Sequence, residues 1–152
     1  MGTSSSVTAV LPLNATHGRK PTILLVEDES VVREITRQVL EHAGYEVLES
    51  EGPREALCLA AEHRGRIGLL LSDIVMPGMN GLDLAHRIQA IQPRVTTVFM
   101  SGYAENAMLQ KGLSDSRSTY IQKPFTIDML LACVDKALAS PASKDQAAAL
   151  TT

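Results

Sequence analysis

Asp73 is the residue around which the chemistry of this chain is arranged. It closes the apolar run Leu69-Leu70-Leu71-Ser72, and the Pro77, Gly78 and Gly81 behind it stop a strand and favour turns. A carboxylate so placed stands at a strand's carboxyl end, the edge where open α/β sheets bind ligands. The competing reading is a turn aspartate that merely caps the next helix. Three other apolar runs of strand length end in reactive groups: Glu27-Asp28-Glu29, Ser101 and Lys123-Pro124. Carboxylates forced together repel one another, and hard oxygen ligands of that charge suit Mg²⁺, with waters and a phosphate completing its octahedron. A lysine and a hydroxyl at the same edge would meet the equatorial oxygens of a phosphoryl group. Taken singly, the three acids read as a solvated helix start, Ser101-Gly102 as a turn and Lys123 as a surface charge. Their occurrence together at four strand ends points to phosphoryl chemistry.

For these groups to meet, the strands must be parallel, and the pattern of the chain supports that. Apolar runs alternate with helical periodicity five times, the mark of a parallel sheet with crossover helices. Strands are expected at Thr22 to Val26, Tyr45 to Glu49, the run ending in Asp73, Val95 to Met100 and Ser118 to Ile121. The first helix carries Val31, Ile35 and Val39 on one face and ends at Gly44; the second runs from Pro53 to His63, with Pro in its first turn. The third bears Leu84, Ile88 and Ile91 before Pro93, and a fourth is expected from Ala104 to Gly112. The fifth, with Ile127, Leu130, Leu131, Val134 and Leu138, is the most strongly amphipathic.

Composition narrows the class. The chain has 152 residues, 45% hydrophobic and 20% charged, enough for one domain with a sizeable core. A net charge of −3 gives no basic footprint and argues against direct nucleic-acid binding. Cys58 and Cys133 have no metal-ligand spacing and read as reduced thiols, as in a cytoplasmic protein. Residues 1 to 20 lack the pattern of a signal peptide, no run reaches transmembrane length, and no membrane insertion is expected. The expected organisation is a flexible N-terminal segment or linker over 1–20, one α/β domain over 21–140 and a flexible C-terminal tail over 141–152.

The stretches ILLVEDES, LLLSDIVMPGMNG, VFMSGYA and YIQKPF, in this order and spacing, resemble the motifs of response-regulator receiver domains, the phosphoacceptor modules of two-component signalling and phosphorelays. The resemblance implies a flavodoxin-like (βα)5 three-layer sandwich with a parallel five-stranded sheet in the order 2-1-3-4-5. It implies that Asp73 is phosphorylated by a histidine kinase or phosphotransfer protein. Mg²⁺ would be held by Asp28, Asp73 and the backbone carbonyl of Val75, with Glu27 acting through water. Ser101 would hydrogen-bond the phosphoryl group, Lys123 would pair with it across a cis Lys123-Pro124 bond, and Tyr120 would change rotamer. The face of the fourth helix, fifth strand and fifth helix would then be remodelled. Val75 and Tyr103, two residues beyond Asp73 and Ser101, would tune the lifetime of the phosphoryl group. Gly102 and Asn80 depart from the commoner Ala and Asp of the family, without removing a chemical group from the site.

A haloacid-dehalogenase-type aspartyl phosphatase also sets an aspartate, a hydroxyl and a lysine at strand ends, but needs a general acid two residues after the nucleophile. Val75 stands there. A flavodoxin-like cofactor binder would want a phosphate loop after the first strand, where three acids stand instead. The reading is therefore of a phosphoacceptor signalling domain and not an enzyme, with slow loss of its own phosphoryl group. The SGYA and YIQKPF stretches are similar to receivers attached to hybrid sensor kinases.

Overall fold

The computed structural model describes residues 20–102 and 118–139. Strands β1 (Thr22–Val26), β2 (Glu46–Ser50), β3 (Ile67–Asp73), β4 (Thr96–Ser101) and β5 (Ser118–Gln122) alternate with helices α1 (Ser30–His42), α2 (Pro53–Glu62), α3 (Gly81–Ile91) and α4 (Ile127–Leu138). Each strand pairing is parallel, and the order is β2-β1-β3-β4-β5, the flavodoxin-like sheet expected from sequence. The helix expected from Ala104 to Gly112, Tyr103 and nearly all of both expected tails lie outside the described residues. So α4 is the helix that the sequence places fifth.

The central strands are continuous apolar runs because both of their faces are covered. Leu24, Val26, Leu70 and Phe99 pack on one side with Ala56 and Ala60 of α2 and Leu84 and Ile88 of α3. Ile23, Leu25, Leu69, Leu71, Val98 and Met100 pack on the other with Leu40 of α1 and Leu130 and Val134 of α4. β3 begins at Ile67, earlier than its leucine run, where the register with β1 shifts. Gly68 makes that start possible: a Cβ there would lie 2.5 Å from the Cβ of Pro21.

One expected face is only partly buried. Val31 and Ile35 of α1 are 69% and 55% exposed, while Val39 packs on the core beside the buried Thr36 and Leu40. Thr36 tolerates burial because its hydroxyl donates to the Val32 carbonyl at 2.7 Å. On the same side Arg33 and Arg37 reach Glu49 of β2 at 3.3 and 3.1 Å, so their stems lie along the sheet while their charges are paired. Packing and ion pairing together outweigh the apolar stripe.

Candidate functional site

The carboxyl edge of the sheet is assembled by backbone bonds that run one residue past each strand. The amide of Glu27 donates to Ser50 O at 3.1 Å, which extends β1 and draws the Glu27 side chain fully inside. Asp73, the last residue of β3, is 5% exposed. Behind it Ile74 N donates to Met100 O at 3.2 Å and Gly81 N to Ile74 O at 2.6 Å. A Cβ on Gly81 would lie 2.3 Å from the Asp73 carbonyl oxygen, so glycine is what lets α3 start directly behind the carboxylate. Gly78 has φ +91 in the intervening turn, and Asn80 caps α3 by accepting from Asp83 N at 2.8 Å. Asn80 thus has a structural use that Asp would share.

Lys123 enters from β5. Its amide donates to Ser101 O at 2.7 Å and the bond to Pro124 is cis. Its Nζ stands 2.7 Å from Asp73 Oδ1 and 3.0 Å from Glu27 Oε1. Glu27 Oε2 accepts from the Glu29 amide at 3.1 Å. Glu27, Asp28 and Asp73 each offer a carboxylate oxygen within 4.8 Å of the others, with Asp28 open to solvent. Burial, and Glu27 beside it, push the Asp73 carboxyl up to about 8 despite Lys123. Burial also acts to raise Glu27, but its hydrogen bonds with Asp73, the Glu29 amide and Lys123 hold it below the usual carboxylate range. Burial would lower Lys123, and its two carboxylate partners raise it instead. When Asp73 ionises, two buried carboxylates share a single ammonium.

Glu27, Asp28, Asp73 and Lys123 are therefore brought together as expected. Ser101 ends the neighbouring strand and is 1% exposed. Val75 is 58% exposed on the loop after Asp73, and Tyr120, on β5, is 41% exposed. Arg33 has a part that the motifs did not reveal: its Nη1 donates to the Glu27 carbonyl at 2.8 Å while Nε faces Glu49 at 3.3 Å. It ties the acid turn to β2. The only sequence signal was an arginine one turn into the helix that follows the acids.

The family model for the response regulator receiver domain matches residues 23–135. Over 117 residues the chain is 36% identical to the sensor kinase CckA of Brucella abortus (strain 2308), a match covering 77% of this chain and 12% of that protein. It is 29% identical over 116 residues to sporulation initiation phosphotransferase F of Bacillus subtilis (strain 168), covering 76% of this chain and 92% of that one. The crystal structure of the receiver domain from the hybrid histidine kinase CckA superposes with a TM-score of 0.68 at 36% identity, covering 77% of this chain and 98% of that one. Chemotaxis protein CheY4 of Vibrio cholerae gives a TM-score of 0.68 at 27% identity, covering 77% of this chain and 98% of that one. The match spans 12%, 24% and 31% of three of the longer curated relatives.

Proposed function

Because the chain belongs to the response regulator receiver domain family of two-component signalling, we propose that it takes a phosphoryl group from a phosphohistidine onto Asp73. The observation that carries this reading is a buried carboxylate at the end of β3, paired with Lys123 and set among Glu27 and Asp28. An Asp73 oxygen attacks phosphorus in line. The P–N bond to the donor imidazole breaks, its electron pair stays on nitrogen, and Asp73 carries an acyl phosphate. Lys123 exchanges its carboxylate partner for a phosphoryl oxygen, and Ser101 hydrogen-bonds another.

The acid cluster fits Mg²⁺: three oxygen donors lie close together, one of them open to solvent. Asp28, Asp73 and the Val75 carbonyl would hold the ion, with Glu27 acting through water. Bound there, Mg²⁺ supplies the positive charge that lets an anionic phosphoryl group approach three carboxylates.

Movement of Ser101 toward the new oxygens leaves room for the exposed Tyr120 to turn inward, which remodels the face around β5. Val75 offers no hydrogen bond to an attacking water, so the acyl phosphate is long-lived; Tyr103, two residues beyond Ser101, is the second position proposed to tune that lifetime. The exposed apolar stripe of Val31 and Ile35, with Ile127 of α4 also exposed, offers a docking surface to the phosphoryl donor, a histidine kinase or phosphotransfer protein. No helix among the described residues is long and apolar enough to cross a membrane, in keeping with a cytoplasmic site of action. Residence in a hybrid sensor kinase fits the likeness to the CckA receiver.

Incubation with Mg²⁺ and acetyl phosphate should add one phosphoryl mass, and Asp73→Asn should abolish it. Equal incorporation into the variant, by intact-mass measurement, would overturn the assignment of Asp73.

A further inference from the structure

A groove of about 490 Å³ runs between α2 and α3, in the helix layer opposite α1 and α4. Its floor is apolar and held in place: Leu57 and Met79 are partly buried and pack on the core beneath. Arg54 stands on one lip and Arg87 on the other, both exposed. Neither guanidinium has a hydrogen-bond or ion-pair partner among the described residues, whereas Arg33 and Arg37 are both paired with carboxylates. The amino-terminal end of α2 opens on the same side through Pro53, and its cap residue Gly52 supplies no side-chain bond. The acid of that first turn, Glu55, accepts from the Glu51 amide at 3.1 Å. In a chain of net charge −3, this groove gathers unneutralised positive charge around an apolar floor.

We propose that this groove docks an acidic segment of a protein partner, one apolar side chain entering between Leu57 and Met79 while flanking carboxylates pair with Arg54 and Arg87. The two arginines select the sign of the charge, and their planar forks suit carboxylates. A chain segment fits better than a small molecule because the rim at Arg54, Pro77, Gly78 and Arg87 is exposed. A small ligand here would stay largely wet, unlike the enclosed ligands of preformed pockets. The groove lies on the far layer from Val31 and Ile35, so its occupant and a donor seated on α1 do not exclude one another.

The test uses the whole chain, isotope-labelled, and a blocked hexapeptide with Leu-Phe between two pairs of Glu. Amide shifts are expected at Leu57, Gly78, Met79 and Arg87. Substituting Arg54→Ala together with Arg87→Ala should weaken binding about tenfold or more, the size of two partly exposed charge pairs. Both arginines are exposed, so the fold should be retained, which the unperturbed remainder of the spectrum checks. A peptide with Lys in place of Glu should not bind. The proposal is overturned by an absence of shifts at ~1 mM peptide, the affinity floor of a weak specific contact. It is equally overturned by unchanged binding in the double variant or by equal binding of the Lys peptide. Equal shifts from sodium hexanoate at the same concentration would overturn the protein segment as occupant in favour of a small amphiphilic anion. The measurement is made on the unphosphorylated chain, so its outcome does not rest on the assignment of Asp73 as phosphoacceptor.

Discussion

The two edges of this one sheet treat buried polar groups in opposite ways. At the amino edge the larger polar side chains are satisfied, and among the described residues there only the Thr97 hydroxyl is buried without a partner. Gln92, 2% exposed, donates to Ala60 O at 2.9 Å and His63 O at 2.8 Å and accepts from Gly65 N at 3.0 Å, joining the ends of α2 and α3. Tyr45 donates its hydroxyl to Asp135 of α4 while Lys20 lies 4.6 Å above its ring and donates to Ala43 O at 2.6 Å. At the carboxyl edge Glu27 and Asp73 are buried against each other with one lysine between them. A satisfied network contributes stability, and two crowded carboxyls detract from it once both are ionised, until a cation arrives. The fold is closed at one edge so that the other can be held in an unfavourable state.

The contrast breaks most directly at Gln92. Gln92→Leu strands the Ala60 carbonyl and the Gly65 amide, while His63 O keeps the Arg66 amide at 3.0 Å, and should cost about 2–3 kcal/mol in urea unfolding, with Mg²⁺-dependent phosphorylation at Asp73 retained. A loss under about 1 kcal/mol would show that water replaces those bonds.

At the opposite edge the sign reverses. The Asp73 carboxyl is raised in the folded state, to about 8, so the metal-free fold keeps a proton that the unfolded chain has already released. The favourable contribution is complete below the unfolded value near pH 4 and is lost as pH rises toward 8. Asp73→Asn should therefore raise metal-free stability at pH 8 by roughly 1–2 kcal/mol and flatten that slope. Mg²⁺ should stabilise the parent chain and leave the variant nearly unchanged. Thermal melts at pH 5 and 8, with and without Mg²⁺, decide it.

Tyr45→Phe should cost about 1 kcal/mol, one hydrogen bond to a charged acceptor at a partly closed site. Burial and Asp135 raise the Tyr45 hydroxyl, so the parent should lose stability above about pH 10 and the variant should not show that loss. The smallest effect tests kinetics alone. Val75→Asn should speed loss of the phosphoryl group several-fold, less than the ~1.4 kcal/mol of a tenfold change, with unfolding unchanged because Val75 is exposed. Unaltered decay of the phosphoprotein would remove Val75 from control of its lifetime.

Local patterning along the chain is enough to read the alternation of elements and the residue type at each strand end. Period-two and period-3.6 apolar patterns are local, and so are the proline and glycine stops behind Asp73. Hence the sheet and the groups Glu27, Asp28, Asp73, Ser101 and Lys123 were legible, with β2 and β4 displaced by one residue. Tertiary structure alone decided which way α1 faces, since a stripe of Val31, Ile35 and Val39 gives no hint that two arginines will be drawn to Glu49 across the sheet. It alone set Arg33 on the Glu27 carbonyl and placed Arg54 opposite Arg87 over an apolar floor. It alone decided that Lys123 bridges Glu27 and Asp73 at 3.0 and 2.7 Å. Charge pairing depends on distances between residues far apart in the chain, and such distances exist only once the layers have packed.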